Sequence, residues 1–391
     1  MQLLPYFQPI VDISTARVVG HEALARMRDH DGTVRSAGQI FSDPTLDEQH
    51  MLAFDRAVRL QALQRFAEAG QPGFLTINIS PRWIDLLGND WIPTVTMLQL
   101  YDVAPEKVVI EIVETESQTD RLEATVAAYK KLGLRVAVDD FGAGCSQFDR
   151  VVGLAPDIVK LDMRLFKQAV NGGLPQHIVQ SLSFLAERMG SQVLCEGVED
   201  YNELRFALEI GSKLIQGFMF SQARPGFTGA EQFGRQIAIQ RRRFLLEGIR
   251  REEQAVERSR RIQQGIDRLC ALLAEQMLLS PDDLCGLENI GIKSLFICDL
   301  GGTQISPTWR LVDGQWQVLE DRVGTNWCWR PYFYQLLSSA ETMQRQSMTS
   351  RPYHDAFSGE LVKTSTHFIG GGRMLMVDIP VHDNCPATRR E

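Results

Sequence analysis

Through roughly the first 235 residues, short apolar runs alternate with longer segments of helical period. Tyr6-Phe7-Gln8-Pro9-Ile10-Val11-Asp12 and Arg17-Val18-Val19-Gly20 read as a hairpin, whose second strand runs on through His21 and ends at Glu22. From Asp47 to Ala69, Met51, Leu52, Val58, Leu60, Leu63 and Phe66 recur at helical spacing. Phe74 to Ser80 alternates with period two until Pro81 stops it, leaving Asn78 on the face opposite Ile77 and Ile79. Further strands are expected at Val108–Glu114, Arg135–Asp140, Asp157–Asp162, Gln192–Glu199 and Lys213–Phe218. Helices are expected near 120–132, 176–189 and 201–210.

Strand and helix in such regular alternation predict a parallel sheet, and seven or eight units suit a closed βα barrel of the TIM type better than an open sheet. From about Ala230 to Leu279 the chain turns highly charged while Ile237, Phe244, Ile249, Val256, Ile262, Ile266 and Leu269 keep helical spacing. This predicts a long connecting helix with a solvated face. Beyond Pro281 the period becomes two, with strands expected at 294–299, 303–309, 315–319, 361–368 and 373–379 and Gly-rich turns between them. The expected domains are therefore a barrel over 1–235, a helical linker over 236–280, an antiparallel α+β sensor-like domain over 281–382 and a flexible tail over 383–391.

In a barrel, polar residues at strand exits converge on one rim. Here those residues are Glu22, Asn78, Glu111, Asp139, Asp140, Lys160, Glu196 and Gln216. Five carboxylates facing one ammonium in a partly dry cavity repel one another unless divalent cations enter. Oxygen donors without His or Cys point to hard ions, Mg²⁺ or Mn²⁺, and two of them bring the cavity close to neutrality.

Composition narrows the partners. The 391 residues carry a net charge of −8, with no basic block to track a nucleic-acid backbone, so polymeric DNA or RNA is not expected. Neither a signal peptide nor a membrane-length apolar run is evident, and seven scattered cysteines fit reduced thiols, so a cytoplasmic protein is expected.

Glu22-Ala23-Leu24 with Arg26, Asn78, Glu111-x-x-Glu114, Asp139-Asp140-Phe141-Gly142, Lys160-Leu161-Asp162, Glu196-Gly197-Val198-Glu199 and Gln216-Gly217, in this order, resemble the EAL-domain cyclic di-GMP phosphodiesterases. The resemblance covers roughly residues 1–235. It implies a modified βα barrel, often a homodimer, that linearises cyclic di-GMP to pGpG with two divalent metals. By position, Glu22, Asn78, Glu111 and Asp139 would hold one ion, while Asp139, Asp140 and Glu196 would hold the other. Lys160 and Gln216 would attend the attacking water. Arg26 would pair with a phosphate, and Gln8, the backbone near Leu24 and Asp162 would lie along the nucleotide.

The segment Asn326-Trp327-Cys328-Trp329-Arg330-Pro331-Tyr332-Phe333 is similar to the PAS-like or Cache-like domain that follows an EAL domain in YkuI-type proteins. That likeness implies a possible small-ligand pocket for an unidentified ligand. No GGDEF-type cyclase motif accompanies it.

Two departures stand out. The family's Gly-Thr-Gly-Tyr-Ser-Ser after the Asp pair is here Gly142-Ala143-Gly144-Cys145-Ser146-Gln147, and its Glu-x-Thr-Glu is Glu111-Ile112-Val113-Glu114. In the family this loop, anchored by the second Glu, supports the metal-bearing pair and joins the dimer contact. Lost hydroxyls remove hydrogen bonds of about 1 kcal/mol each. The expectations are thus a metal-dependent phosphodiesterase or, alternatively, a catalytically weak or inactive cyclic di-GMP receptor that signals to a protein partner.

Overall fold

The structure is a computed structural model and describes residues 2–38, 47–79, 93–112, 119–143, 153–276, 278–343, 347–355 and 358–381. The chain divides into two compact units, residues 1–245 and 246–391.

The first unit is a closed eight-stranded barrel. Its strands are β1 (Gln2–Asp12), β2 (Arg17–Arg28), β4 (Phe74–Ile79), β5 (Val108–Ile112), β6 (Arg135–Phe141), β7 (Ile158–Leu161), β8 (Gln192–Cys195) and β9 (Leu214–Ile215), with β3 (Val34–Ser36) added to β2 outside the ring. β1 runs antiparallel to both β2 and β9, and β2, β4, β5, β6, β7, β8 and β9 pair in parallel. This is the modification expected from the opening hairpin: two strands joined by a tight turn must be antiparallel.

Strand alternation sorts the side chains into two sets. Leu75, Ile77, Ile79, Val108, Ile110, Ile112, Val136, Val138, Val159 and Leu161 face out and pack on helix residues such as Leu63, Phe66, Phe166 and Leu182. Each such burial contributes about 1.5–3 kcal/mol. The inward set forms a separate apolar layer of Ile10, Phe74, Val109, Ala137, Ile158, Leu194 and Leu214. Gly20 belongs to that level, where a Cβ would stand 2.5 Å from the Phe74 ring. The layer is the floor of the site, because two residues further along β5 to β9 the inward positions become Glu111, Asp139, Lys160, Glu196 and Gln216.

β2 differs from expectation by continuing past Glu22 to Arg28. Its parallel pairing with β4 ends at Ala23, after which β1 and β3 hold it, so Glu22 marks the end of the barrel segment and not of the strand. Helices Pro93–Leu100 and Met163–Val170 were not legible as separate periods. Each is eight residues long, and the second begins as soon as β7 ends, with Asp162 accepting the Leu165 N–H at 2.8 Å as its cap.

The second unit is an antiparallel sheet in the order β12-β11-β10-β16-β15-β13, with β14 (Tyr353–His354) also on β15. These strands are β10 (Ser294–Asp299), β11 (Thr308–Val312), β12 (Gln315–Leu319), β13 (Ser347–Thr349), β15 (Leu361–Phe368) and β16 (Arg373–Pro380). One cluster joins Leu295, Ile297, Trp309, Leu375 and Val377 to Ile262, Ile266, Leu269 and Leu273 of helix Gly234–Glu275. A second joins Phe296, Cys298, Met374 and Met376 to Trp327, Tyr332, Phe333 and Leu336.

The strand expected over 303–309 begins only at Thr308. Pro307 has no N–H to offer a ladder and Ser306 Oγ takes the Ile297 N–H at 2.8 Å, so before Thr308 the backbone pairs only in isolated bridges, Gln304 with Cys298 and Thr303 with Asn326. Among the described residues no helix is long and apolar enough to cross a membrane.

Candidate active site

The two adjacent aspartates are brought to one side by a break in β6. Val138 pairs with Val159 and Phe141 with Leu161, so three steps on β6 match two on β7. The extra residue is absorbed at Asp140, whose φ of +52° is a left-handed conformation that Asp tolerates better than most side chains. In an unbroken strand Asp139 and Asp140 would face opposite ways. Here burial, and then the neighbouring charges of Asp139 and Asp162, push the Asp140 pKa up.

Lys160 sits at the centre of the rim, 2 % exposed. Its Nζ lies 3.6 Å from Glu22 Oε1 and 3.3 Å from Asp139 Oδ1, and closer still to Glu111 and Glu196. Gln216 Nε2 donates to Glu22 Oε2 at 2.6 Å and Asn78 Nδ2 to Glu22 Oε1 at 3.3 Å. Seven of the eight expected rim residues are therefore joined by direct contacts, drawn from β2, β4, β5, β6, β7 and the segments just after β8 and β9, and Asp140 lies beside them, near enough to feel the charges of Asp139 and Lys160.

The two trailing segments are laced to each other. Gln216 N–H donates to the Cys195 carbonyl, Val198 N–H to the Gln216 carbonyl and Met219 N–H to the Val198 carbonyl, at 2.9, 3.1 and 3.0 Å. A Cβ on Gly217 would stand 2.1 Å from the Val198 carbonyl oxygen, so only glycine permits this approach of the loops carrying Glu196 and Gln216.

The electrostatics are those of a cation site. Burial, then Glu22 and other acids, hold Glu111 well above the ordinary carboxylate range despite Lys160. Burial pushes Glu196 up to about 8, with Lys160 opposing and Glu22 and Asp139 adding. For Lys160 burial favours the neutral amine, but Glu111, Glu22, Glu196 and Asp139 outweigh it and keep the ammonium. The cluster is thus short of positive charge.

The donor set fits hard divalent ions. Glu22, Glu111 and Glu196 each offer a ligand atom within 4.8 Å of the others, and all donors are oxygens. Glu111 Oε2 and Gln216 Oε1 are buried without a hydrogen-bond partner among the described residues.

The other expected residues flank this cluster. Gln8 is the register partner of Glu22, and its Nε2 donates to the Ser221 carbonyl at 3.2 Å. Leu24 and Arg26 lie beyond the barrel segment of β2, Arg26 half-buried with Nη1 on the Ala25 carbonyl at 3.0 Å. Asp162 caps its helix. Glu114 and the altered stretch 144–147 lie outside the described residues. Arg164, two residues past Asp162, is close enough to oppose the upward push on the Asp140 pKa, and nothing in the sequence singled it out.

Comparison with known proteins agrees with this geometry. Residues 1–223 match the model of the EAL domain, and residues 236–383 match that of the EAL-domain associated signalling protein domain. The EAL-domain containing protein YkuI of Bacillus subtilis is 26% identical over 97% of this chain and 94% of its own. Its crystal structure with the substrate c-di-GMP and calcium superposes at a TM-score of 0.81, with 25% identity and the same coverage. The cyclic di-GMP phosphodiesterase RocR of Pseudomonas aeruginosa is 27% identical over 56% of this chain and 57% of its own. A manganese and cyclic di-GMP complex of Klebsiella pneumoniae BlrP1 reaches a TM-score of 0.50 at 28% identity, covering 57% of this chain and 56% of that one. A family model matching more than half of its length, over the residues that build the acidic rim, shows that this chain belongs to the EAL domain family.

Proposed function

We propose that this protein hydrolyses cyclic di-GMP to linear pGpG with two divalent ions, Mg²⁺ or Mn²⁺, and that its second unit regulates the reaction. The observation that carries this reading is the convergence of Glu22, Glu111, Asp139 and Glu196 on one buried ammonium at the barrel rim. RocR, whose name is that of a cyclic di-GMP phosphodiesterase, and the c-di-GMP complexes of YkuI and BlrP1 support the choice of substrate. The signalling description of the family matched by residues 236–383 supports the regulatory role.

Glu22, Asn78, Glu111 and Asp139 would hold one ion, and Asp139, Asp140 and Glu196 the other. When bound, such ions acidify water for attack on phosphorus and offset charge on the phosphoryl oxygens. The protein's own groups orient the rest. Lys160, protonated among its acids, donates from Nζ and so positions the attacking oxygen. Gln216, held through its Nε2 on Glu22, keeps Oε1 available to accept from the same water. Arg26 offers its planar fork to a phosphate. Gln8, the Leu24 backbone and Asp162 line the nucleotide.

The test is incubation with cyclic di-GMP and Mn²⁺ or Mg²⁺, followed by chromatography for pGpG. Product that disappears in Glu22→Ala and Lys160→Ala is expected. The substituted loop after Asp140 favours a second reading, a receptor without turnover; tight binding with no product would establish it. Neither binding nor product would refute both.

A further inference from the structure

Two strand–helix units that supply Lys160 and Glu196 to the rim are tied together a second time, by groups outside it. Helix Met163–Val170 starts just beyond β7, which carries Lys160, and helix Tyr201–Glu209 follows the segment that carries Glu196. Phe166 of the first packs on Phe206 of the second, with ring centroids 5.7 Å apart. Beside this contact Lys167 Nζ lies 2.7 Å from Glu203 Oε1 and 3.4 Å from Glu199 Oε2, and Glu203 Oε2 accepts the Glu199 N–H at 2.7 Å.

Helix capping does not account for Glu203. Asp200 is the cap of helix Tyr201–Glu209 and accepts the Glu203 N–H at 3.0 Å, which leaves the Glu203 carboxylate to reach back beyond the cap. Nor is this an exposed ion pair of little consequence, since the Glu203 side chain is only 11% exposed and its two oxygens serve two different partners.

The turn after Glu196 is what these contacts hold. Gly197 has a φ of +66°, and a Cβ there would stand 2.6 Å from Met163 Sδ and 3.7 Å from Lys167 Cε, so the turn lies against the helix that carries Lys167. Val198 is fixed by backbone bonds to Gln216 and Met219, whereas the Glu199 N–H is held by the Glu203 side chain. Lys160 with Glu196, and Lys167 with Glu203, thus join the same two units at two places.

We infer that Lys167 and Glu203 are positioning residues for the reaction. They fix the turn that follows Glu196, and with it the direction from which the Glu196 carboxylate meets the ion it would share with Asp139 and Asp140. The inference rests on the two-ion reading above, and neither residue belongs to the motifs that carry the family resemblance.

The test is calorimetric titration of the full chain with Mn²⁺, joined to steady-state kinetics on cyclic di-GMP. Glu203→Leu removes both contacts and is expected to weaken the ion of Asp139, Asp140 and Glu196 at least about tenfold, the effect typical of groups that orient a metal ligand. It should leave the ion of Glu22 and Asn78 unchanged and lower kcat more than it changes KM. Lys167→Met keeps the stem, loses the ammonium and should weaken the same ion. Glu203→Gln retains an oxygen for the Glu199 N–H and should recover most of the affinity lost in Glu203→Leu. Circular dichroism checks that the variants stay folded. A wild type that binds no second ion would overturn the two-ion reading and this inference with it. A wild type that binds two ions, with Glu203→Leu and Lys167→Met binding both as tightly, would overturn the inference alone. So would equal weakening of both ions in Glu203→Leu, or Glu203→Gln as weak as Glu203→Leu.

Discussion

Replacing Lys160 with methionine isolates the electrostatic core of the account. Methionine fills much of the same space, so the variant removes the charge that faces Glu22, Glu111, Asp139 and Glu196 while leaving the apolar floor of Ile158 and its neighbours intact. Breaking a buried ion pair by deleting one partner costs about 3–5 kcal/mol. The lower end is expected here, because burial raises the Glu111 and Glu196 pKa values and lets both shed charge by taking up protons. For a unit of this size, about 2–4 °C per kcal/mol converts about 3 kcal/mol to a fall of about 6–12 °C in the melting of the first unit, measured in chelator at pH 8. Divalent ions restore positive charge to the same oxygens. In saturating Mn²⁺ the deficit should therefore shrink, and the rise in melting temperature on adding Mn²⁺ should be larger for the variant than for the wild type. Equal melting of variant and wild type in chelator, or a deficit untouched by Mn²⁺, would refute the reasoning. If Lys160 positions the attacking oxygen, the variant also loses about 10²–10⁴-fold in turnover even when fully loaded with metal.

Other perturbations probe other parts of the site. Metal-free stability should fall as pH rises. Glu196 titrates near 8 in the folded state against an ordinary 4.5, so its contribution is full below pH 4.5 and lost as pH climbs through 8, with a ceiling of about 5 kcal/mol. Thermal melts in chelator across that range check it, and added Mn²⁺ should remove the slope. Gly217→Ala forces a Cβ to within 2.1 Å of the Val198 carbonyl, which should cost at least about 1–3 kcal/mol and lower kcat by shifting Glu196 against Gln216; denaturant melts and steady-state kinetics read both. Asp162→Ala removes the cap on Leu165 N–H and should cost about 1 kcal/mol in the same melts.

The acidic rim was legible because strand alternation is a strong constraint. Once Val109, Ala137, Ile158 and Leu194 are placed inside, Glu111, Asp139, Lys160 and Glu196 must follow on the same side two residues later. Asp140 obeys no such rule. Only the bulge, visible as a register shift against β7, brings it back toward Asp139 and Asp162, and an Asp-Asp pair does not announce a bulge in sequence. Helix Met163–Val170 was hidden by its brevity.

The aromatic run 326–333 divides in the structure in a way that composition does not reveal. Trp327, Tyr332 and Phe333 enter the core, with Trp327 Nε1 donating to Gln304 Oε1 at 3.1 Å, while Trp329 remains 63% exposed. The helix from Pro331 that presents Tyr332, Phe333 and Leu336 together sets that division. In the long helix, the basic run signalled a solvated face, but the apolar residues on that face could be separated from core residues only by their exposure.

The claim on which the account turns is that carboxylates from separate strands form one cation site. Titration calorimetry with Mn²⁺ measures it directly. Two ions per chain with net proton release, falling to weaker binding and fewer sites in Glu111→Gln, is the expected result. A chain that binds no Mn²⁺, or binds it equally well without the charges of Glu22, Glu111 and Glu196, would contradict it.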